Sequence, residues 1–96
     1  MSTEYNDIKH LNIRVTGLVQ GVFYRATANL KATHLGLTGF VRNERDGSVY
    51  MEVEGPADSL AIFTMWCQQG PTGARVEKVE TEESAVKGFE RFETKR

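Results

Sequence analysis

Apolar residues alternate in short runs at Ile8–Thr16 and Val49–Glu54. They recur at helical spacing after Val22 and again after Pro56, and an Asp46-Gly47 turn sits between two strand-like runs. These observations predict an α+β sandwich. The order is strand, helix, strand, strand, helix, strand, with room for a short extra strand at the end. An antiparallel sheet would carry both helices on one face. Ninety-six residues, 40% of them hydrophobic, supply one core and no second one. Residues 8–96 are therefore read as a single domain behind a flexible tail over residues 1–7.

The elements follow in order. From Ile8 to Thr16, Leu11, Ile13 and Val15 point one way; His10, Asn12, Arg14 and Thr16 point the other. That is a strand with one buried face, and His10 is expected on its solvated side. A helix should begin near Val22 and run to about Leu35. Phe23, Ala26 and Leu30 are expected as its buried stripe, and Gly36 as its left-handed stop. Leu37–Asn43 and Val49–Glu54 pair as a hairpin through Asp46-Gly47. Gly55-Pro56 opens a second helix with Leu60, Phe63 and Cys67 on its inner face, and Gly70-Pro71 stops it. Val76 and Val79 break strict alternation, so the strand from Arg75 to Glu82 should carry a bulge. Glu80, Glu82 and Glu83 read as a solvated edge. Phe89 and Phe92 mark the short final strand.

Composition removes several function classes. Lys+Arg number 12 and Asp+Glu 13, a net charge of -1, which does not fit a general nucleic-acid binder. No apolar run approaches the ~20 residues of a membrane span. The polar N-terminus lacks a signal-peptide pattern, and Cys67 alone cannot form an internal disulfide. A cytoplasmic monomer, with no nucleic-acid or membrane partner, is the expectation.

Between the first strand and helix lies Gly17-Leu18-Val19-Gln20-Gly21-Val22-Phe23-Tyr24-Arg25. Helix-start amides lack intrahelical partners and carry partial positive charge. A loop whose amides converge can cradle phosphate oxygens, and Arg25 would add a guanidinium fork. The plainer reading makes the two glycines a tight turn and Arg25 a solvated helix residue. Cys67 reads as a small core residue, and the histidines and carboxylates show no metal-ligand spacing.

Gly-x-Val-Gln-Gly-Val-x-x-Arg, from Gly17 to Arg25, resembles the signature of acylphosphatases. So does Gly36-Leu37-x-Gly39-x-Val41-x-Asn43, followed by Asp46-Gly47-x-Val49 and Glu54-Gly55. Phe63, Trp66 and Gly70-Pro71 fit the family's second helix. The resemblance runs from Ile13 to about Phe92, and it implies a ferredoxin-like enzyme that hydrolyses acyl phosphates. It implies that Arg25 binds phosphate and that Asn43 orients water. The cradle would be the amides of Gln20, Gly21, Val22, Phe23, Tyr24 and Arg25. An acyl phosphate would be the substrate, and inorganic phosphate both product and inhibitor. The expected chemistry is direct attack by water, with no metal and no cofactor. This chain departs from the usual pattern at Leu18, where many members have Arg. It departs again at Phe23-Tyr24, where many have Gly-Phe, and at Glu44, where many have a small residue.

Two alternatives carry different functions. One is a non-catalytic module of the same fold, as occurs at one end of larger carbamoyl-transfer maturation proteins; phosphate release from acetyl phosphate separates it from an enzyme. The other is an RNA-recognition domain, which needs stacking aromatics on central strands. The polar side of the first strand offers none, and the third strand offers only Tyr50.

Overall fold

The computed structural model describes residues 7–96. The expected tail lies outside the described residues except for the exposed Asp7. β1 is Ile8–Leu18, α1 Tyr24–His34, β2 Thr38–Asn43, β3 Val49–Pro56, α2 Ala57–Gln69, β4 Arg75–Ser84 and β5 Phe92–Thr94. The sheet order is β4-β1-β3-β2-β5. Every pairing is antiparallel except β2 with β5, which is parallel. Ile13, Val15, Val41, Val49, Met51 and Val53 meet Ala28, Ala32, Leu60, Phe63 and Cys67 in one core. This is the α+β sandwich the element order predicts, with β5 added along the β2 edge.

The helices differ in how well their inner faces could be foreseen. In α2 the buried residues are Leu60, Phe63 and Cys67, as expected. Burial pushes the Cys67 thiol up to about 12, which suits a core residue and not a nucleophile. In α1 the buried residues are Tyr24, Ala28 and Ala32, while Phe23 and Leu30 are 80% and 72% exposed. The expected stripe of Phe23, Ala26 and Leu30 is therefore wrong. Bulk misleads here: small alanines let the helix lie close on the sheet, and Tyr24 fixes the phase. Its hydroxyl donates to the Cys67 carbonyl at 2.9 Å, tying α1 to α2. The helix also starts at Tyr24 and not Val22, because Phe23 is a left-handed cap. At the other end Gly36, with φ +75, closes the helix. Its amide donates to Thr33 and that of Leu37 to Ala32, the paired bonds of a Schellman motif.

The expected bulge is present. Thr16 pairs with Lys78 and Gly17 with Val76, so Glu77 is the extra residue on β4, and Val76 and Val79 both turn toward the core. A Cβ on Gly17 would stand 2.1 Å from the Arg75 carbonyl oxygen, so only glycine allows that approach. Glu80, Glu82 and Glu83 are exposed on the β4 edge.

His10 is not solvated: it is fully buried on the sheet face opposite the helices. To pass from β4 at one edge to β5 at the other, residues 85–91 cross that face and cover it. His10 Nδ1 donates to Glu54 Oε2 at 2.7 Å, its Nε2 lies 2.8 Å from Asn12 Oδ1, and its ring stacks on Phe89. Glu54 also accepts from the amides of Lys87, Gly88 and Phe89 at 2.5, 3.0 and 3.2 Å. Beside it, Glu52 accepts from Lys87 Nζ and the Tyr50 hydroxyl. Burial raises the Glu54 pKa, but these hydrogen bonds outweigh it and leave the carboxyl below its ordinary value. A depressed carboxyl stabilises the fold fully above the unfolded pKa of about 4.3 and loses that contribution as pH falls through the folded value. Glu54→Gln puts an amide NH2 against backbone donors. It should lower the unfolding free energy by about 3 kcal/mol at pH 7. Urea titrations from pH 7 to pH 3 should show a flatter acid limb in the variant; an unchanged acid limb would contradict the clasp.

Candidate active site

The loop between β1 and α1 carries left-handed backbone at alternate positions. Gly21 has φ +75 and Phe23 φ +64, and Val22 between them does not share it. Alternation of this kind turns successive amides to one side, the geometry of an anion nest. The amides of Gln20, Gly21, Val22 and Phe23 make no hydrogen bond to another described residue. Those of Tyr24 and Arg25 follow at the start of α1, where no i−4 carbonyl is available. No acidic side chain lies in that first helical turn to compete for an anion. Phe23 is the one non-glycine residue with positive φ among the described residues, a conformation that costs an L-residue roughly 1–2 kcal/mol.

Arg25 sits one residue into α1 and is half-buried. One guanidinium nitrogen, Nη1, donates to the Lys95 carbonyl at 2.6 Å. The Lys95 amide in turn donates to the Val41 carbonyl at 2.8 Å. The arginine is thus braced by the segment that continues β5, and the rest of its fork is free to meet an anion.

Asn43 ends β2, opposite Val49. Its Oδ1 is buried and has no hydrogen-bond partner among the described residues. A buried amide oxygen left unpaired is costly unless water or a ligand meets it. The hairpin beyond it is tightly made. Asp46 Oδ1 accepts from the Ser48 hydroxyl and amide, which hold its carboxyl below the ordinary range. Glu44 pairs with Arg42 Nε at 2.6 Å, so its charge at the hairpin is matched by a neighbour.

These parts surround one cleft of about 280 Å³. Among the residues singled out in the sequence, Gly21, Phe23, Tyr24, Arg25 and Asn43 line it, together with Val19, Ala26 and Thr94. Gln20 and Val22 do not line it. Val22 is half-buried against the core. The Gln20 side chain turns the other way, its Nε2 donating to the carbonyls of Glu44 at 2.8 Å and Ser48 at 2.9 Å. It joins the loop to the hairpin that carries Asn43. Thr94 in the lining and the Lys95 carbonyl beneath Arg25 were not foreseen, since both are brought there only by the pairing of β5 with β2.

The acylphosphatase family model matches residues 11–94. The chain belongs to the acylphosphatase family. It is 48% identical over 81 residues to an acylphosphatase of Methylococcus capsulatus, covering 84% of this chain and 88% of that one. Its fold superposes with a TM-score of 0.92 on an acylphosphatase from Coxiella burnetii, at 36% identity, covering 99% of this chain and all of that one. Against the Bacillus subtilis acylphosphatase the TM-score is 0.90 at 31% identity, covering 92% and 99%. In this acylphosphatase, then, Gly21 and Phe23 with their unpaired amides, the braced Arg25, and Asn43 with its unpartnered oxygen line a single cleft. Gln20→Ala should test the strut between its two walls. Both carbonyls keep another donor, so stability should fall by only about 1–2 kcal/mol. Turnover should fall about tenfold as the β2–β3 hairpin drifts from the loop. Steady-state kinetics beside a urea titration would check this, and wild-type turnover would show that the strut has no such role.

Proposed function

We propose that this chain hydrolyses the carboxyl–phosphate bond of acyl phosphates by direct attack of water, with Arg25 and the amides of Gln20–Arg25 holding the phosphoryl group and Asn43 placing the water. The observation that carries this reading is the unpartnered, buried Asn43 Oδ1 across the cleft from Arg25 and the unpaired amides. The chemistry asks for little else. A carboxylate is a good leaving group, so strong acid catalysis is unnecessary. What the transition state needs is neutralised charge on the phosphoryl oxygens and a water in line with the breaking P–O bond. Asn43 accepts a hydrogen bond from that water but cannot take its proton, because an amide is not basic. The water oxygen bonds to phosphorus as the P–O bond to the carboxylate breaks. The carboxylate leaves with the electron pair, and the water's proton passes to a phosphoryl oxygen, giving inorganic phosphate.

On this reading the protein's own residues suffice, and turnover proceeds without a metal ion. Inorganic phosphate occupies the same cradle and inhibits competitively. We take a monomer as the working unit. No helix among the described residues is long and apolar enough to cross a membrane, and we place the enzyme in the cytoplasm. A hydrolysis assay should show turnover of acetyl phosphate, very little of a phosphate monoester, and no loss with chelator. The reading as a non-catalytic module requires no turnover of either.

Two substitutions separate binding from chemistry. Arg25→Ala should lower rate and phosphate affinity together, by roughly a hundredfold or more, and Arg25→Lys should not restore them, because an ammonium lacks the bidentate fork. Near-normal activity in the lysine variant would refute the fork. Thermal denaturation must accompany the assay, since Arg25 also braces Lys95. Asn43→Ala should leave competitive inhibition by phosphate in place while kcat falls by about two orders of magnitude. A variant that keeps its turnover would show Asn43 to be a turn former only.

A further inference from the structure

We infer that the Phe23 ring selects the acyl group, and that the favoured substrates are acyl phosphates whose acyl group is aromatic or otherwise bulky and apolar. This rests on the acyl-phosphate reading of the cleft. At 80% exposure Phe23 is the most exposed of the large hydrophobic residues described. Its ring enters no aromatic pair among the described residues and no part of the core cluster. Its backbone holds φ +64, which glycine would adopt without strain. A ring outside the core, four-fifths exposed and borne on strained backbone, contributes little to the fold. Its place is the cleft that Arg25 and Asn43 share.

The lining of that cleft divides in two. Arg25, Asn43 and Thr94 are polar; Val19, Phe23, Ala26 and the Tyr24 ring are apolar. An acyl phosphate divides the same way, into a charged phosphoryl group and an acyl tail. The Phe23 ring springs from the Cα next to one of the cradle amides. A tail leaving the bound phosphoryl group therefore meets this ring at the mouth. A flat apolar tail can cover it and remove both surfaces from water. An acetyl group is too short to do so, and a charged tail gains nothing from it. Contact with the ring is made before and during the chemical step alike, so it should act on KM more than on kcat.

The test compares KM for benzoyl phosphate and acetyl phosphate in the native protein, Phe23→Ala and Phe23→Gly. The native KM should be lower for benzoyl phosphate by about tenfold or more, and the gap should shrink to within about threefold in both variants. Any disturbance of the loop acts on both substrates and cancels in the ratio. The glycine variant accepts the positive φ, so it remains available if the alanine variant unfolds. A gap that persists in either folded variant overturns the proposal, as does a native protein with no gap. Hydrolysis of acetyl phosphate without preference overturns the role of Phe23 alone. Hydrolysis of neither substrate overturns the acyl-phosphate reading itself.

Discussion

Glu54 is a carboxylate buried under residues 85–91, and the last part of the chain is placed by it. Removing a charged carboxylate from water is expensive unless donors surround it. Here His10 and three successive backbone amides do so. Those amides belong to the segment that must cross the open face of the sheet. Once they are fixed, β5 can only fall beside β2, where the Gly39 amide donates to the Arg91 carbonyl. The chain then continues to Lys95, whose carbonyl braces Arg25. A polar contact on one face of the sheet thereby fixes the arginine's neighbour at the rim of the cleft.

Among the described residues the buried polar side-chain atoms other than Asn43 Oδ1 are matched. Tyr24 finds the Cys67 carbonyl, Glu52 finds Lys87 and Tyr50, and Ser48 finds Asp46. The exceptions gather in one place. Gly21 and Phe23 with amides that lack acceptors, a buried asparagine oxygen without a donor, and the single strained non-glycine backbone among the described residues, that of Phe23, all border the same cleft. Groups held unpaired in fixed positions stabilise developing charge without having to reorganise, which is the use an enzyme makes of them. The stability lost there is carried by the ladders and the core around it.

What could be read in the sequence was local. The Asp46-Gly47 hairpin, the Gly36 stop, the inner face of α2 and the irregularity at Val76 and Val79 each depend on residues close in the chain. Other features depend on what arrives from far away. Alternation puts His10 opposite Ile13 and Val15, but not under a segment some eighty residues later. The α1 stripe fails for another reason: hydrophobic bulk was weighed where close approach by alanine decides. Arg25, Asn43, Gly21, Phe23 and Tyr24, all singled out in the sequence, line one cleft. The side chain of Gln20 does not, because its acceptors are carbonyls of a hairpin more than twenty residues away.

The two walls of the cleft come from different units, the β1–α1 junction and the β2–β3 hairpin, and one residue registers them. Val49 is fully buried and lies opposite Val15 of β1 on one side and Asn43 of β2 on the other. The end of β1 from which the cradle departs is therefore set against Asn43 by backbone ladders. A slip of one residue on either side would turn Asn43 to the opposite face and expose the valines that hold the core. The apolar face thus enforces the register that brings Asn43 to the cleft: the hydrophobic cost of a slip far exceeds any energy a lone asparagine could supply. Gln20 then closes the remaining freedom, since the ladders fix the strands but not the loop above them. Positioning on the scale that the proposed in-line attack demands follows from that combination.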